Sequence, residues 1–213
     1  MCAIVGSFDK EKLKELIKIN SYRGSFSHSF SLYDPQEKDL LIDCMDMGPL
    51  TEEYIDDHFR EGLYGIAHIQ APTTGIKTEK RIHPAIYFES CLWHNGILKT
   101  SYINKHMKDY PDEPTWDTEI ILRKLVENGY GALNTIDGSF SCLAFDGTDL
   151  FLFRNLLAPM FMDDDLSLSS TQFLHSSETP ANCFFQLNFQ TKRLELIGVF
   201  KTNTLPYYFD DED

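Results

Sequence analysis

Apolar positions open this chain. Cys2, Ala3, Ile4 and Val5 run without interruption to Gly6 and Ser7, and the segment predicts a buried strand over residues 2–8 that begins at the very terminus. Position 2 is then inside the fold. Asp9 stands where an N-cap belongs, and Leu13, Leu16, Ile17 and Ile19 recur at helical spacing among lysines and glutamates, so an amphipathic helix follows. A loop begins at Tyr22, Arg23 and Gly24, and strand-like segments come next at residues 29–33, 40–42 and 62–69. The last of these runs into Gln70-Ala71-Pro72-Thr73-Thr74-Gly75, which is too rich in turn formers to be regular. Short strands are expected at residues 85–88 and 91–93. The triplet His94, Asn95 and Gly96 then interrupts the pattern and reads as a turn presenting backbone groups, with Gly96 free to take positive φ or to admit a close backbone approach. Residues 115–128 hold Ile120, Ile121, Leu125 and Val126 at helical spacing, with Thr115 or Asp117 at the start and Gly129 just past the end. From residue 139 onward the pattern is strands and turns, at 139–145, 150–154, 166–169, 183–189 and 194–200. No linker divides the chain, so residues 1–213 are expected to form one α+β domain of about two sheets with flanking helices.

Charge removes some partners. Lys and Arg number 19 against 33 Asp and Glu, a formal net charge of −14, whereas nucleic-acid binders carry a basic face, so no nucleic acid is expected as partner. Part of the acid is local: Asp163, Asp164 and Asp165 form one run, and residues 209–213 read as a solvated acidic tail. Five cysteines without a C-x-x-C pair argue against a disulfide framework or a structural zinc site and for a reducing compartment. No stretch of about 18 apolar residues and no basic-then-apolar leader pattern occurs, so a cytoplasmic protein with no membrane partner is expected. His28, His58, His106 and His175 show no ligand spacing, and neither metal nor cofactor is assigned. Cys44, Cys91, Cys142 and Cys183 lie in apolar runs and are read as inert, Trp93 and Trp116 as core, and His68 as a satisfied core histidine.

Three features carry chemistry. Removal of Met1 would leave Cys2 with both a thiol and a free α-amine, and because an α-amino group titrates near pH ~8 and a thiol near ~8.5, one residue supplies nucleophile and base together. Taken alone, a cysteine at position 2 is more often a small hydrophobe. Asn95 beside Gly96 offers a side-chain amide and a backbone N–H to a developing oxyanion, against the plainer reading of a strand-ending turn. Asp117 either caps its helix or binds a substrate ammonium group.

Together these features resemble something specific. Met1-Cys2-Ala3-Ile4-Val5-Gly6, Tyr22-Arg23-Gly24, Gly65-Ile66-Ala67-His68, Pro72-Thr73-Thr74-Gly75, His83-Pro84, His94-Asn95-Gly96-Ile97 and Asp117-Thr118-Glu119 occur in the order and at the spacings of the class II glutamine amidotransferase domain. Ile136-Asp137-Gly138-Ser139-Phe140 and Leu152-Phe153-Arg154 look like its closing half, so the resemblance covers nearly the whole chain. It implies a four-layer αββα sandwich of the N-terminal-nucleophile hydrolase type. It further implies that Cys2 attacks the side-chain amide of L-glutamine to form a γ-glutamyl thioester, with Asn95 and Gly96 as the oxyanion hole. Asp117 would hold the substrate ammonium, with Thr73, Thr74 and position 70 lining the substrate site and Arg23 and His94 in support. Such domains deliver ammonia to a synthetase, here expected on a separate subunit. One departure stands out: position 70, where the family has an arginine for the substrate carboxylate, is Gln70. Losing a charge-assisted hydrogen bond costs about 1.5–3 kcal/mol if nothing compensates. Arg81 or Lys77 reaching in, an amide other than free glutamine, and tightening by a docked partner all remain open. A non-catalytic ligand-binding or regulatory subunit is the alternative of a different class.

Overall fold

The computed structural model describes residues 2–71, 81–109 and 116–202. In chain order the elements are β1 (Ala3–Ser7), α1 (Lys10–Asn20), β2 (Ser27–Asp34), β3 (Asp39–Met47), α2 (Glu52–His58), β4 (Tyr64–Gln70), β5 (Ala85–Tyr87) and β6 (Ser90–Leu98). They continue with α3 (Thr100–Asp109), α4 (Asp117–Asn128), β7 (Gly138–Phe145), β8 (Leu150–Arg154), β9 (Phe161–Met162), β10 (Leu168–Ser169), β11 (Ser177–Glu178), β12 (Cys183–Asn188) and β13 (Arg193–Val199). Among the described residues the strands form two sheets, ordered β11-β9-β10-β1-β4-β2-β3 and β13-β12-β8-β7-β6-β5.

Strand alternation sorts the apolar side chains into three interfaces, and these define four layers. Ile4, Tyr33, Tyr64 and Ile66 meet Trp93, Leu143, Leu150 and Leu152 between the sheets. On the opposite face of the first sheet Ala3, Val5, Phe30, Leu32 and Ala67 pack against Leu13, Leu16 and Ile17 of α1 and Ile55 of α2. On the far face of the second sheet Leu92, Phe140, Cys142 and Phe153 pack against Ile120, Ile121 and Leu122 of α4. The architecture is therefore the αββα sandwich, helices outside and sheets face to face.

Local chemistry explains the strongest elements. Asp9 caps α1, its carboxylate accepting from the Lys12 N–H at 2.7 Å. Gly129, at φ 68°, ends α4 where an L side chain is disfavoured. Two expectations require correction. His94, Asn95 and Gly96 do not interrupt a strand: they lie inside β6, paired with Cys142, Ser141 and Phe140 of β7. Gly96 is needed for close approach rather than for a turn, because a Cβ there would run into the Ser139 carbonyl oxygen. The second correction concerns α2 and α3, neither of which was expected. In α2 only Ile55 is buried, too few apolar positions to make a periodic signal, whereas α3 is amphipathic and was not read as a helix. The start proposed at Thr115 and the acidic tail fall outside the described residues, and α4 begins at Asp117 with no side-chain cap from Trp116. Among the described residues no helix is long and apolar enough to cross a membrane.

Candidate active site

Cys2 lies at the head of β1, an internal strand hydrogen-bonded between β10 and β4. Because Ile4 faces the second sheet, Cys2, two residues earlier, faces it too. The register extends this: β1 pairs Ile4 with His68 of β4, and the His68 ring reaches across the sandwich to donate from Nε2 to the His94 carbonyl at 3.1 Å. The Cys2 end of β1 is thus opposite the stretch of β6 that carries His94, Asn95 and Gly96. Asn95 follows Trp93 on the face turned toward β1, and among the described residues no group hydrogen-bonds its side-chain amide, which is left available to a ligand.

The sulfur is buried, and its thiol lies 3.6 Å from the Ala71 carbonyl oxygen. Burial pushes the thiol up to about 11, the Asp117 carboxylate adding in the same direction and the Arg23 guanidinium opposing it. A thiol so placed carries almost no standing thiolate at neutral pH and reacts only if a base takes its proton. Arg23 ties down the strand end: Nε donates to Thr171 Oγ1 at 2.9 Å, Nη2 to the Ser170 carbonyl at 3.0 Å, and Nη1 approaches the Cys2 carbonyl at 3.5 Å. Gly24 lets this corner approach, since a Cβ would meet the backbone of Gln70 and Ala71.

Asp117 is the first residue of α4 and is buried; Oδ1 accepts from the Thr118 N–H at 3.0 Å. The carboxylate therefore serves the helix start, and its negative charge lies close enough to act on the Cys2 thiol. His94 Nδ1 is 3.9 Å from Asp117 Oδ2, too far for a hydrogen bond. Burial lowers the His94 pKa below its ordinary value, so the ring is neutral at pH 7. His68 is pushed down to about 3 and His83 well below its ordinary range, both by desolvation first.

Gln70 is engaged elsewhere. Its Oε1 accepts from Ser27 Oγ and His83 Nδ1, both at 3.1 Å, and its Nε2 donates to the Arg81 carbonyl at 2.9 Å. That leaves one N–H at most for a substrate. The Thr118 hydroxyl stands 2.9 Å from His83 Nε2 and 3.2 Å from His94 Nδ1. The other nitrogen of each ring faces an oxygen acceptor, Gln70 Oε1 or the Ser139 carbonyl, so two ring lone pairs compete for one Thr118 proton.

Among the residues read from the sequence, Cys2, Asn95, Gly96, Asp117, His94, Gln70 and Arg23 converge on this end of the sandwich, while Thr73, Thr74 and Lys77 lie outside the described residues. Ser27, His83 and Thr118 had no role assigned, although His83 and Thr118 sit in the quoted motifs; their signal was position beside a motif residue, not residue type. His68 is buried as expected but only half satisfied, its Nδ1 lacking a partner among the described residues. Trp93 is fully buried.

No protein-family model matches the chain. It is 27% identical over 173 residues to a glutamine–fructose-6-phosphate aminotransferase (isomerizing) of Bartonella henselae and 24% identical over 168 residues to that of Vibrio parahaemolyticus. Each match covers 70% of this chain and 27% of the relative, so the chain spans about a quarter of the length of these curated proteins. Among solved structures, the glutamine phosphoribosylpyrophosphate amidotransferase of B. subtilis superposes with a TM-score of 0.66 at 13% identity, covering 93% of this chain and 50% of that one. A class-II glutamine aminotransferase domain protein from Silicibacter pomeroyi superposes at 0.51 with 13% identity, covering 94% of this chain and 99% of that one.

Proposed function

We propose, from the premise that this chain is a class II glutamine amidotransferase-type domain in sequence and in fold, that it hydrolyses a glutamine side-chain amide at Cys2 and releases ammonia for a synthetase. The observation carrying this is the convergence of a buried thiol at the head of β1, an unengaged Asn95 amide on the facing strand and the Asp117 carboxylate at the start of α4.

Once Met1 is removed, the Cys2 amine takes the thiol proton as sulfur attacks the amide carbon. The Asn95 side chain and the Gly96 N–H receive the developing oxyanion. The ammonium formed on the terminal nitrogen returns its proton to the leaving group. Ammonia departs, a γ-glutamyl thioester remains on Cys2, and water hydrolyses it to glutamate. Asp117 pairs with the substrate α-ammonium. Burial of the thiol disfavours a standing thiolate, so attack depends on a base that takes its proton. Arg23 holds the strand end, and neutral His94 and His83 fix β6 and α4 through Thr118. The synthetase is taken to be a separate subunit and the setting the cytosol.

The engagement of Gln70 by Ser27, His83 and the Arg81 carbonyl favours a second reading, in which the preferred substrate is an amide other than free glutamine, such as a γ-glutamyl conjugate or a carboxylate-blocked glutamine. One experiment addresses both. The chain, confirmed by intact mass to begin at Cys2, is incubated with glutamine, γ-glutamyl conjugates and carboxylate-blocked glutamine. Ammonia and carboxylate product are measured, with Cys2→Ala as control. Hydrolysis of glutamine supports the first reading and hydrolysis of only the blocked or conjugated amides the second. Turnover unchanged in Cys2→Ala refutes both. kcat/KM is expected to rise with pH and level off near ~8, where the amine is free, instead of climbing toward the thiol value.

A further inference from the structure

The sheet that holds Cys2 ends at the edge strand β3, where β2 and β3 gather side chains that the proposed hydrolysis does not use. His28 is paired directly with Asp46 and Phe30 with Cys44, and the register then slips so that Ser31 pairs with Ile42, leaving Asp43 as the extra residue of a bulge. The bulge breaks strand alternation. Asp43 and Cys44, adjacent in sequence, both turn toward α2: Tyr54 Oη donates to Asp43 Oδ2 at 2.6 Å, and Cys44 packs with Tyr54 against the Phe30 core. On the near side of the bulge the register is regular, so His28 and Phe30 share one face with their partners Asp46 and Cys44, and His28, Cys44 and Asp46 each hold a ligand atom within 4.8 Å of the other two.

The histidine is already oriented. Its Nδ1 lies 2.9 Å from the Gly48 carbonyl, and since a carbonyl only accepts, Nδ1 carries the proton and Nε2 keeps its lone pair. An outer hydrogen bond of this kind holds most metal-binding imidazoles. A surface pocket of about 630 Å³, lined by His28, Asp46, Thr51 and Tyr54, borders two of the three residues and gives an ion an entrance and room for a bound water. His28 is buried, Cys44 half-buried and Asp46 exposed, so the site grades from a fixed ligand to a movable one.

We propose that His28 Nε2, Cys44 Sγ and an Asp46 carboxylate oxygen bind a divalent transition-metal ion of the zinc type, with water in the fourth position. A mixed imidazole, thiolate and carboxylate set suits zinc and excludes magnesium and calcium, which take oxygen ligands. Bonds of ~2.0–2.3 Å around a tetrahedral ion set ligand atoms roughly 3.3–3.8 Å apart, so atoms within 4.8 Å of one another need close by about 1 Å at most, by small rotations of the Cys44 and Asp46 side chains. Binding breaks the Cys44 S–H bond, forms the metal–sulfur bond and releases that proton to solvent. The ion lies on the helix-facing side of β2, the side of Phe30 and Leu32, whereas Cys2 faces the other sheet. Its work is accordingly structural: it pins the edge strand β3 to β2.

The test uses the whole chain after chelator treatment, titrated with Co²⁺ and then Zn²⁺. One equivalent of Co²⁺ is expected to give a sulfur-to-cobalt charge-transfer band with the intense visible bands of four-coordination, and Zn²⁺ is expected to abolish both and raise the melting temperature. Cys44→Ser removes the charge-transfer band, His28→Gln weakens binding, and Asp46→Asn weakens it by at least about tenfold, while Cys2→Ala retains it in full. If Cys44→Ser fails to fold, Asp46→Asn, at an exposed position, carries the test. Absence of a charge-transfer band, or a band that survives Cys44→Ser, or affinity unaltered in Asp46→Asn overturns the proposal.

Discussion

Asn95 is the residue whose chemistry is most cleanly separable from the fold, because its amide has no hydrogen-bond partner among the described residues. Replacing it with alanine is expected to lower kcat by about 10²- to 10³-fold, the usual cost of one oxyanion donor, with little change in melting temperature. A loss in KM alone would contradict the assigned role, and steady-state kinetics beside a thermal melt decide it. Gln70 behaves in the opposite way, since its amide bridges Ser27, His83 and the Arg81 carbonyl. Gln70→Arg is expected to destabilise the protein by about 3–5 kcal/mol, because a guanidinium would be buried beside neutral hydrogen-bonding groups without a counter-charge. Denaturant titration measures this. A stable Gln70→Arg variant with improved glutamine hydrolysis would show instead that the network yields readily and that the second substrate reading is right.

At the level of single elements, α1 was the most legible: its cap and apolar stripe appear in the sequence as they do in space, while the loop expected from Tyr22 is instead a 3-10 turn over Ser21–Arg23. Asp9→Ala is expected to cost about 1 kcal/mol, read as a lowered denaturation midpoint with unchanged slope, since one carboxylate-to-N–H bond is lost at an exposed helix start. β6 was legible only in part. A His-Asn-Gly triplet looks like a turn in one dimension because Asn and Gly tolerate φ > 0, yet here the glycine serves the approach of the Ser139 backbone. Gly96→Ala is therefore expected to lower stability and activity together, in contrast to Asn95→Ala, and a melt with kinetics on both variants separates the two. α2 was missed because a seven-residue helix with one buried position leaves no periodicity, whereas α3 does carry an amphipathic pattern and was passed over.

Across the whole molecule, three histidines held neutral by burial link stability to acidity. Each has a folded pKa below its unfolded value, so the unfolded chain binds protons that the native state refuses. Their contribution is complete above pH ~6.5 and is lost as pH falls below it; for His68 the loss continues down to about 3. Each refused proton steepens the loss by up to ~1.4 kcal/mol per pH unit. Unfolding midpoints measured between neutral pH and pH ~4.5 are expected to fall steeply, and His83→Gln is expected to flatten that slope; a flat profile in the parent protein contradicts neutral burial. The same whole-molecule view separates what could be read in one dimension from what could not. Sequence alone determined that a buried strand lies directly after the buried Cys2, that Asp9 opens a helix and that strand segments outnumber helices, because local periodicity and capping act between residues a few positions apart. The tertiary structure decided which groups come together: the Cys2 end of β1 opposite the stretch of β6 that carries Asn95, Gln70 with Ser27 and His83, and His28 with Cys44 and Asp46 on one face of the β2–β3 pair. Those encounters depend on register and on the packing of sheet against sheet, which are settled by the burial of distant apolar faces together and leave no mark in local spacing.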